Sequence, residues 1–347
     1  MSFNNFFMLL LSLLIFLAAC GKKSVNSESE PADKEKNLSL PQNYNWSASG
    51  ILVNPKPDAN HQILSVKDPT VVFFENKWHV FATTCNQDGQ WNMVYFSFSD
   101  WSQADNARQY YMEDYNLAGY HCAPQVFYFE PHGYWYLIYQ SQNPQYSISR
   151  DISNPSSWTK PNNLTSFDLP GNPALDYWII CDSISCYLYF TGDDGKLYRS
   201  RTSISSFPTG FSPAVTVLQE ERDILFEGGA TYKIKGQKLY LTIIEGLSRS
   251  YNAWISTRLD SAWTPLENAN RLLNGDRPFA GSNNVTFADG IKWTNQISHG
   301  ELLRDGYDQT MTIDPSNLRL LFQGMDPDFH GEYYASPYRL GLLTYID

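Results

Sequence analysis

The chain has 347 residues, 42% of them hydrophobic and 15% aromatic, with 10 Trp and 23 Tyr. That length is ample for one large domain with a sizeable core. The formal net charge of -11 argues against nucleic acid or an anionic membrane surface as partner, because both repel an acidic protein; a neutral polysaccharide does not.

The first segment reads as a targeting signal. Phe6 to Ala19 is apolar but too short for a standard spanning helix, and it ends in Leu17-Ala18-Ala19-Cys20-Gly21. This ending resembles the lipobox of bacterial lipoproteins, which makes Cys20 the expected lipidation site. The protein is then exported and lipid-anchored, at the cell surface or in the periplasm. Met1 to Asn5 carries no Lys or Arg, so a plain secretory signal or a transmembrane anchor stays open. Residues 21–45 are polar and charged. They cannot bury enough apolar surface to order themselves, and read as a flexible tether spanning on the order of 25 Å.

From Trp46 the pattern is almost wholly β. A strand–turn–strand segment recurs five times: DPTVVFFENKWHVFAT from Asp68, APQVFYFEPHGYWYLIYQ from Ala123, DYWIICDSISCYLYFTGDDG from Asp176, EGGATYKIKGQKLYLTIIEG from Glu227 and HGELLRDGYDQTMTIDPSNLRLLFQG from His299. The starts lie 55, 53, 51 and 72 residues apart. A period near fifty built from short strands predicts an all-β, five-bladed β-propeller over 46–347, one four-stranded blade per repeat. Asn76-Lys77, Asp193-Asp194-Gly195 and Lys235-Gly236-Gln237 are the expected hairpin turns. The stretch from Trp46 to Val66 is expected to feed the first blade, and Tyr338 to Leu343 to close the ring as a last strand. Cys181 and Cys186 flank a four-residue turn and face each other as either a disulfide or two buried thiols.

Equivalent inner-strand positions of a propeller converge on its axis. The register therefore predicts that Asp68, Asp176 and Glu227 share one pocket. Hydrolysis of a glycosidic bond needs a carboxylic acid to protonate the leaving oxygen and an ionised carboxylate to activate water or attack carbon; a third carboxylate can tune the acid. Taken singly, each of these residues has a bland reading as a strand-end cap or an Arg partner. Gly228-Gly229 leaves space beside Glu227, which suits an acid reaching toward a leaving group. Asp182 lies six residues past the register position and ranks below Asp176. His299 falls at the same register position in the fifth repeat, where an imidazole binds a metal or sugar hydroxyls, or simply sits satisfied in the core. Gln125, Gln140, Asn283, Asn284 and Gln309 are candidate neutral hydrogen-bonding groups for substrate.

Several motifs together resemble glycoside hydrolase family 62: Lys67-Asp68-Pro69-Thr70, Trp178-Ile179-Ile180-Cys181-Asp182, Phe190 to Lys196, Leu225-Phe226-Glu227, Trp263-Thr264-Pro265-Leu266, Ile297-Ser298-His299-Gly300-Glu301, Asp308-Gln309-Thr310 and Pro337 to Leu343. The likeness covers about residues 46–345. It implies a five-bladed α-L-arabinofuranosidase that removes arabinose side groups from arabinoxylan with inversion. It further implies Asp68 as general base, Glu227 as general acid, Asp176 as the residue tuning that acid, and Lys67 as an arabinose contact. Gln140, Asn284, Gln309 and Tyr334 are then expected substrate contacts, and His299 marks a central calcium position. No organic cofactor is expected, and the chain is expected to act as a monomer. The segments Gly228-Gly229, Gln140-Ser141 and Asp328 to Glu332 depart from the family pattern. A family 43-type arabinanase or β-xylosidase, and a catalytically silent surface lipoprotein that binds glycans, are the competing readings.

Overall fold

The computed structural model describes residues 39–347. The targeting run, Cys20 and tether residues 21–38 lie outside the described residues.

Five sheets follow one another around a ring, as the repeat predicts. Blade one comprises Ile63–Phe74, Lys77–Asn86, Trp91–Phe98 and Tyr110–Tyr111. Blade two comprises Cys122–Phe129, Tyr134–Gln140, Pro144–Ser149 and Asn162–Asn163. Blade three comprises Leu175–Cys181, Ser185–Thr191, Lys196–Ser203 and Val215–Gln219. Blade four is built on Glu227–Ile234, Tyr240–Gly246 and Ser250–Ser256, with Thr264–Pro265 at its outer edge. Blade five is built on Ser298–Leu302, Arg319–Gly324 and Arg339–Ile346.

Inner hairpins are buried on both faces because each blade packs between two others. Lys77–Asn86 is accordingly buried from His79 through Cys85. Its hairpin turns at Glu75 and Asn76 with φ of 47° and 60°, the paired positive dihedrals of a two-residue turn that matches strand twist. The apolar core lies between blades: Val66, Val80 and Leu321 join blades five and one, while Val72, Phe81 and Trp135 join blades one and two. Cys181 and Cys186 pair across their hairpin and form a disulfide with a Cα–Cα distance of 4.1 Å.

The N-terminal strand corrects one expectation. Asn45–Ala48 does not feed blade one. It runs antiparallel to Arg339–Ile346 and parallel to Val285–Phe287, completing blade five. Trp46, fully buried, packs on Phe279 and Tyr345 and donates its indole N–H to the Phe279 carbonyl at 2.7 Å. Tyr44 is buried as well, 4.7 Å from Phe279 between ring centroids, so the fold begins before residue 46 and takes in the end of the expected tether. The strand from Arg339 does close the ring.

Every inner strand carries a register shift at the same level: between Lys67 and Thr70, Cys122 and Gln125, Leu175 and Trp178, Glu227 and Ala230, and Ser298 and Glu301. Such bulges re-aim side chains beside active sites. Asp68, Ala123, Asp176 and Gly228 adopt positive φ there, of 48°, 47°, 55° and 62°. Three of these are not glycine, so strain on the order of 1–3 kcal/mol each is held where the blades meet the axis.

The far mouth of the axial channel is plugged by the loop after Ser298–Leu302. Arg304 donates to the carbonyls of Val71 and Val126 at 2.8 Å each. Tyr307 packs on Phe74 and Trp135. The Gln309 carbonyl accepts from Cys181 N, and Thr312–Ile313 pairs with Lys233 and Ile234. One loop thus touches the inner strands of blades one to four in turn.

Candidate active site

The bulges of all five blades surround one open end of the channel. A pocket of about 330 Å³ there is lined by Lys67, Asp68, Asp176, Glu227, His299 and the rim residues Trp91, Tyr120 and Tyr333. The three carboxylates predicted to converge do so, although they lie 159 residues apart along the chain from 68 to 227. A larger depression of about 690 Å³, shared through Gly89, Trp91 and Tyr120, runs from the pocket over blade one.

The register differs from expectation at one blade. Gly228, not Glu227, holds the position equivalent to Asp68, Asp176 and His299 in the bulge, and it shares the positive φ of Asp68 and Asp176. Glu227 is equivalent to Lys67. The glycines also serve a different purpose from leaving room for the acid. A Cβ on Gly228 would lie 3.2 Å from the His299 ring and 3.3 Å from Glu245, and one on Gly229 would lie 2.5 Å from Trp178.

His299 sits between the first two carboxylates, its Nδ1 at 3.3 Å from Asp68 and 3.7 Å from Asp176. Lys67 lies 3.6 Å from Asp68 on the other side. Its ammonium lies 3.8 Å from the Trp91 ring centre and donates to the Tyr333 hydroxyl at 3.2 Å. Asp176 accepts from Gly228 N at 2.8 Å, fixing the backbone beside the acid, and its own N–H donates to Gln140 at 3.1 Å. Glu227 accepts from Arg249 at 2.6 Å. The same Arg249 nitrogen donates to Glu245, which also accepts from Ser298 Oγ and His299 N. Ser298 accepts from Gln323, and Gln323 accepts from Asp68 N at 2.6 Å. A hydrogen-bonded chain therefore runs from Glu227 to the backbone of Asp68.

The carboxylates are driven apart electrostatically. Burial opposes charge on Asp68, but Lys67 and His299 outweigh it and hold its carboxyl well below the usual carboxylate range. Burial pushes Glu227 up, Asp176 pushes it further, and Arg249 offsets this in part. Burial raises Asp176 too, against the pull of His299. Burial disfavours charge on His299, yet Asp176 and Asp68 lift it to about 9. The pocket thus pairs a carboxylate whose surroundings favour its ionised form with one whose surroundings favour the proton, the division of labour of acid–base hydrolysis.

The other expected contacts divide. Lys67 lies in the pocket. Gln140 lines it, but its amide is committed to Asp176 N and to the Tyr120 hydroxyl at 2.7 Å. Asn284 is not at the pocket: its side chain ties Tyr44, Pro278, Phe279 and Gly281 together below the closing strand. Gln309 belongs to the plug, its Oε1 accepting from Glu130 N at the far end of an inner strand. Tyr334 lies against Gly89 on the rim while its neighbour Tyr333 turns inward to Lys67; a short 3-10 turn over Tyr333–Ala335 gives no period from which to choose between them. Gln125 is spent on Ile179, and Asp182 caps its own turn. Sequence reasoning missed Arg249, Glu245, Trp91 and Tyr120. Glu245 left a trace, a carboxylate following the buried strand residues Leu241-Thr242-Ile243-Ile244.

The expected calcium position at the axis is held by the His299 imidazole, whose Nδ1 forms ion pairs with Asp68 and Asp176. Calcium takes six to eight oxygen ligands. The Nδ1 of His299 faces two carboxylates, and among the described residues no three His, Cys, Asp or Glu side chains form a metal cluster. No step below involves a metal.

The family model described as Glycosyl hydrolase family 62 matches residues 45–344. The chain belongs to this family. Alpha-L-arabinofuranosidase C of Cellvibrio japonicus is 41% identical over 307 residues, which are 86% of this chain and 46% of that protein. The chain thus spans about half the length of that curated relative. Among solved family 62 structures, the catalytic domain of a Coprinopsis cinerea α-L-arabinofuranosidase is 44% identical with a TM-score of 0.84, over 88% of this chain and 98% of that one. A Podospora anserina α-L-arabinofuranosidase, solved with cellotriose, is 41% identical with the same TM-score, over 89% and 98%. A thermostable family 43 enzyme is 14% identical with a TM-score of 0.56 over 81% of this chain and 88% of its own, and shares the fold alone.

Proposed function

We propose that this chain is an α-L-arabinofuranosidase that cleaves arabinofuranosyl side groups from arabinoxylan with inversion. The observation that carries this is the split between a depressed Asp68 and a raised Glu227 in one blind-ended pocket. A blind pocket takes a terminal side group rather than a chain threaded through it. The depression over blade one gives room for the backbone that bears the group, and the family 62 relatives named above support the sugar. Asp68 takes a proton from water as the water oxygen attacks the anomeric carbon. The bond from that carbon to the leaving oxygen breaks, and Glu227 gives its proton to that oxygen. Asp176 keeps Glu227 protonated until then.

Proton NMR of wheat arabinoxylan treated with the enzyme tests this. Released arabinose should appear first as the inverted anomer, with no cleavage of linear arabinan. Glu227→Gln should lower turnover about 10²–10⁴-fold while polysaccharide binding persists. Hydrolysis at wild-type rate by that variant would sink the assignment. Export with a lipid on Cys20, and action as a monomer, are part of the same proposal; the lipobox-like Leu17 to Cys20 supports the anchor.

A further inference from the structure

Glu245 is a buried carboxylate that the acid–base pair does not use. Its side chain is fully enclosed, whereas those of Glu227 and Arg249 are 19% and 20% exposed. It stands opposite Glu227 in the blade-four ladder, and it shares one Arg249 nitrogen with Glu227. Arg249 sits in the turn between Tyr240–Gly246 and Ser250–Ser256 with φ of 57°, a left-handed conformation that non-glycine residues rarely adopt. Backbone strain and a buried ion pair are thus combined to bring one guanidinium onto the acid.

The pairing poses a problem for catalysis. A cation at hydrogen-bond distance from a carboxyl favours its ionised form, by about 1–3 units for an Arg–carboxylate pair. An acid catalyst held only by Arg249 would lose its proton early. We propose that Glu245 is a positioning residue whose negative charge neutralises Arg249, so that Arg249 orients Glu227 without stripping it of the proton it must deliver. This rests on the role given to Glu227 above.

The surroundings support the assignment. Glu227 faces Asp176, Arg249, Lys67 and the Tyr333 hydroxyl. Glu245 faces Arg249, Glu227, His299 and the hydroxyls of Tyr251 and Tyr338; burial raises it, Arg249 opposes this and Glu227 adds to it, and three donors, Arg249, Ser298 Oγ and His299 N, meet its carboxylate. With His299 protonated, three cations (Lys67, His299, Arg249) meet four carboxylates (Asp68, Asp176, Glu227, Glu245). The cluster is neutral when it retains one proton, and burial favours that neutral state. Without the charge on Glu245 the same cluster is neutral with no proton to give. Glu245 also accepts from the backbone N–H of His299, so it links the acid's tether to the axial histidine.

The test is the pH profile of kcat/KM on an arabinoxylan oligosaccharide for wild type, Glu245→Gln, Arg249→Met and the double variant. Activity needs Glu227 protonated, so its titration sets the alkaline limb. Glu245→Gln should move that limb down by about one unit or more, which is about tenfold less activity above it. Arg249→Met should move it up. The double variant, lacking both charges, should fall between the two singles. Arg249→Lys should hold the wild-type limb, and it carries the test with Arg249→Met if Glu245→Gln does not fold by thermal unfolding. Loss of kcat with an unmoved limb in all variants, or an upward shift in Glu245→Gln, overturns the proposal. A wild type that releases no arabinose, or an active Glu227→Gln, instead overturns the assignment on which it stands.

Discussion

His299 shows how much a single position owes to its neighbours. The repeat placed it at the axis, and the structure puts its Nδ1 between Asp68 and Asp176. Those two carboxylates, acting against burial, raise it to about 9 from 6.5. A histidine raised in this way gives stability that is complete below pH 6.5 and is lost as pH rises through 9. NMR titration of the His299 ring should show a midpoint near 9, and Asp176→Asn should bring it down toward the ordinary value. A wild-type midpoint below 7 would contradict the ion-pair geometry. At this scale the sequence was legible where the repeat constrained it, for Asp68, Asp176 and His299, whereas Lys67 came from the family resemblance. It was not legible for Asn284, Gln309 and Tyr334. An amide or a phenol suits a sugar and a backbone carbonyl equally well, and only tertiary placement tells them apart.

The bulged inner strand is the element that makes the site. Alternation of side chains along a strand predicts which face a residue takes, but an inserted residue reverses that choice. The bulge is common to all five blades, and Glu227 stands one residue ahead of it, where blade one has Lys67 rather than Asp68. The extra methylene of Glu over Asp, set one residue earlier, still delivers a carboxyl to the same pocket. The bulge in blade four depends on glycine for close approach. Trp178, stacked on Tyr189 at 5.7 Å and donating to Thr231 at 2.9 Å, occupies the space a side chain on Gly229 would need. Gly229→Ala should therefore destabilise the protein by about 1–3 kcal/mol, measured from denaturant midpoints. It should also lower turnover, because the displaced ring lies next to the strand that carries Glu227. A variant as stable and active as wild type would show that the contact is slack.

For the molecule as a whole, blade number and ring order followed from spacing alone, because each repeat buries its faces only against its neighbours. The plug did not, since its residues make their contacts across four blades and follow no local period. Among the described residues no helix is long and apolar enough to cross a membrane; the proposed attachment is the lipid on Cys20. Cys20→Ser should move the protein from the membrane fraction of a lysed bacterial host to the soluble one, and unchanged fractionation would refute the lipid. The strand Asn45–Ala48, sewn between Arg339–Ile346 and Val285–Phe287, bears on biosynthesis. Its antiparallel partner lies at the opposite end of the propeller sequence, so a nascent chain cannot latch its circle until Arg339–Ile346 has left the ribosome. A ribosome that stalls before Arg339 releases a product with Trp46 unsheltered and a raw edge open to capture by chaperones or proteases.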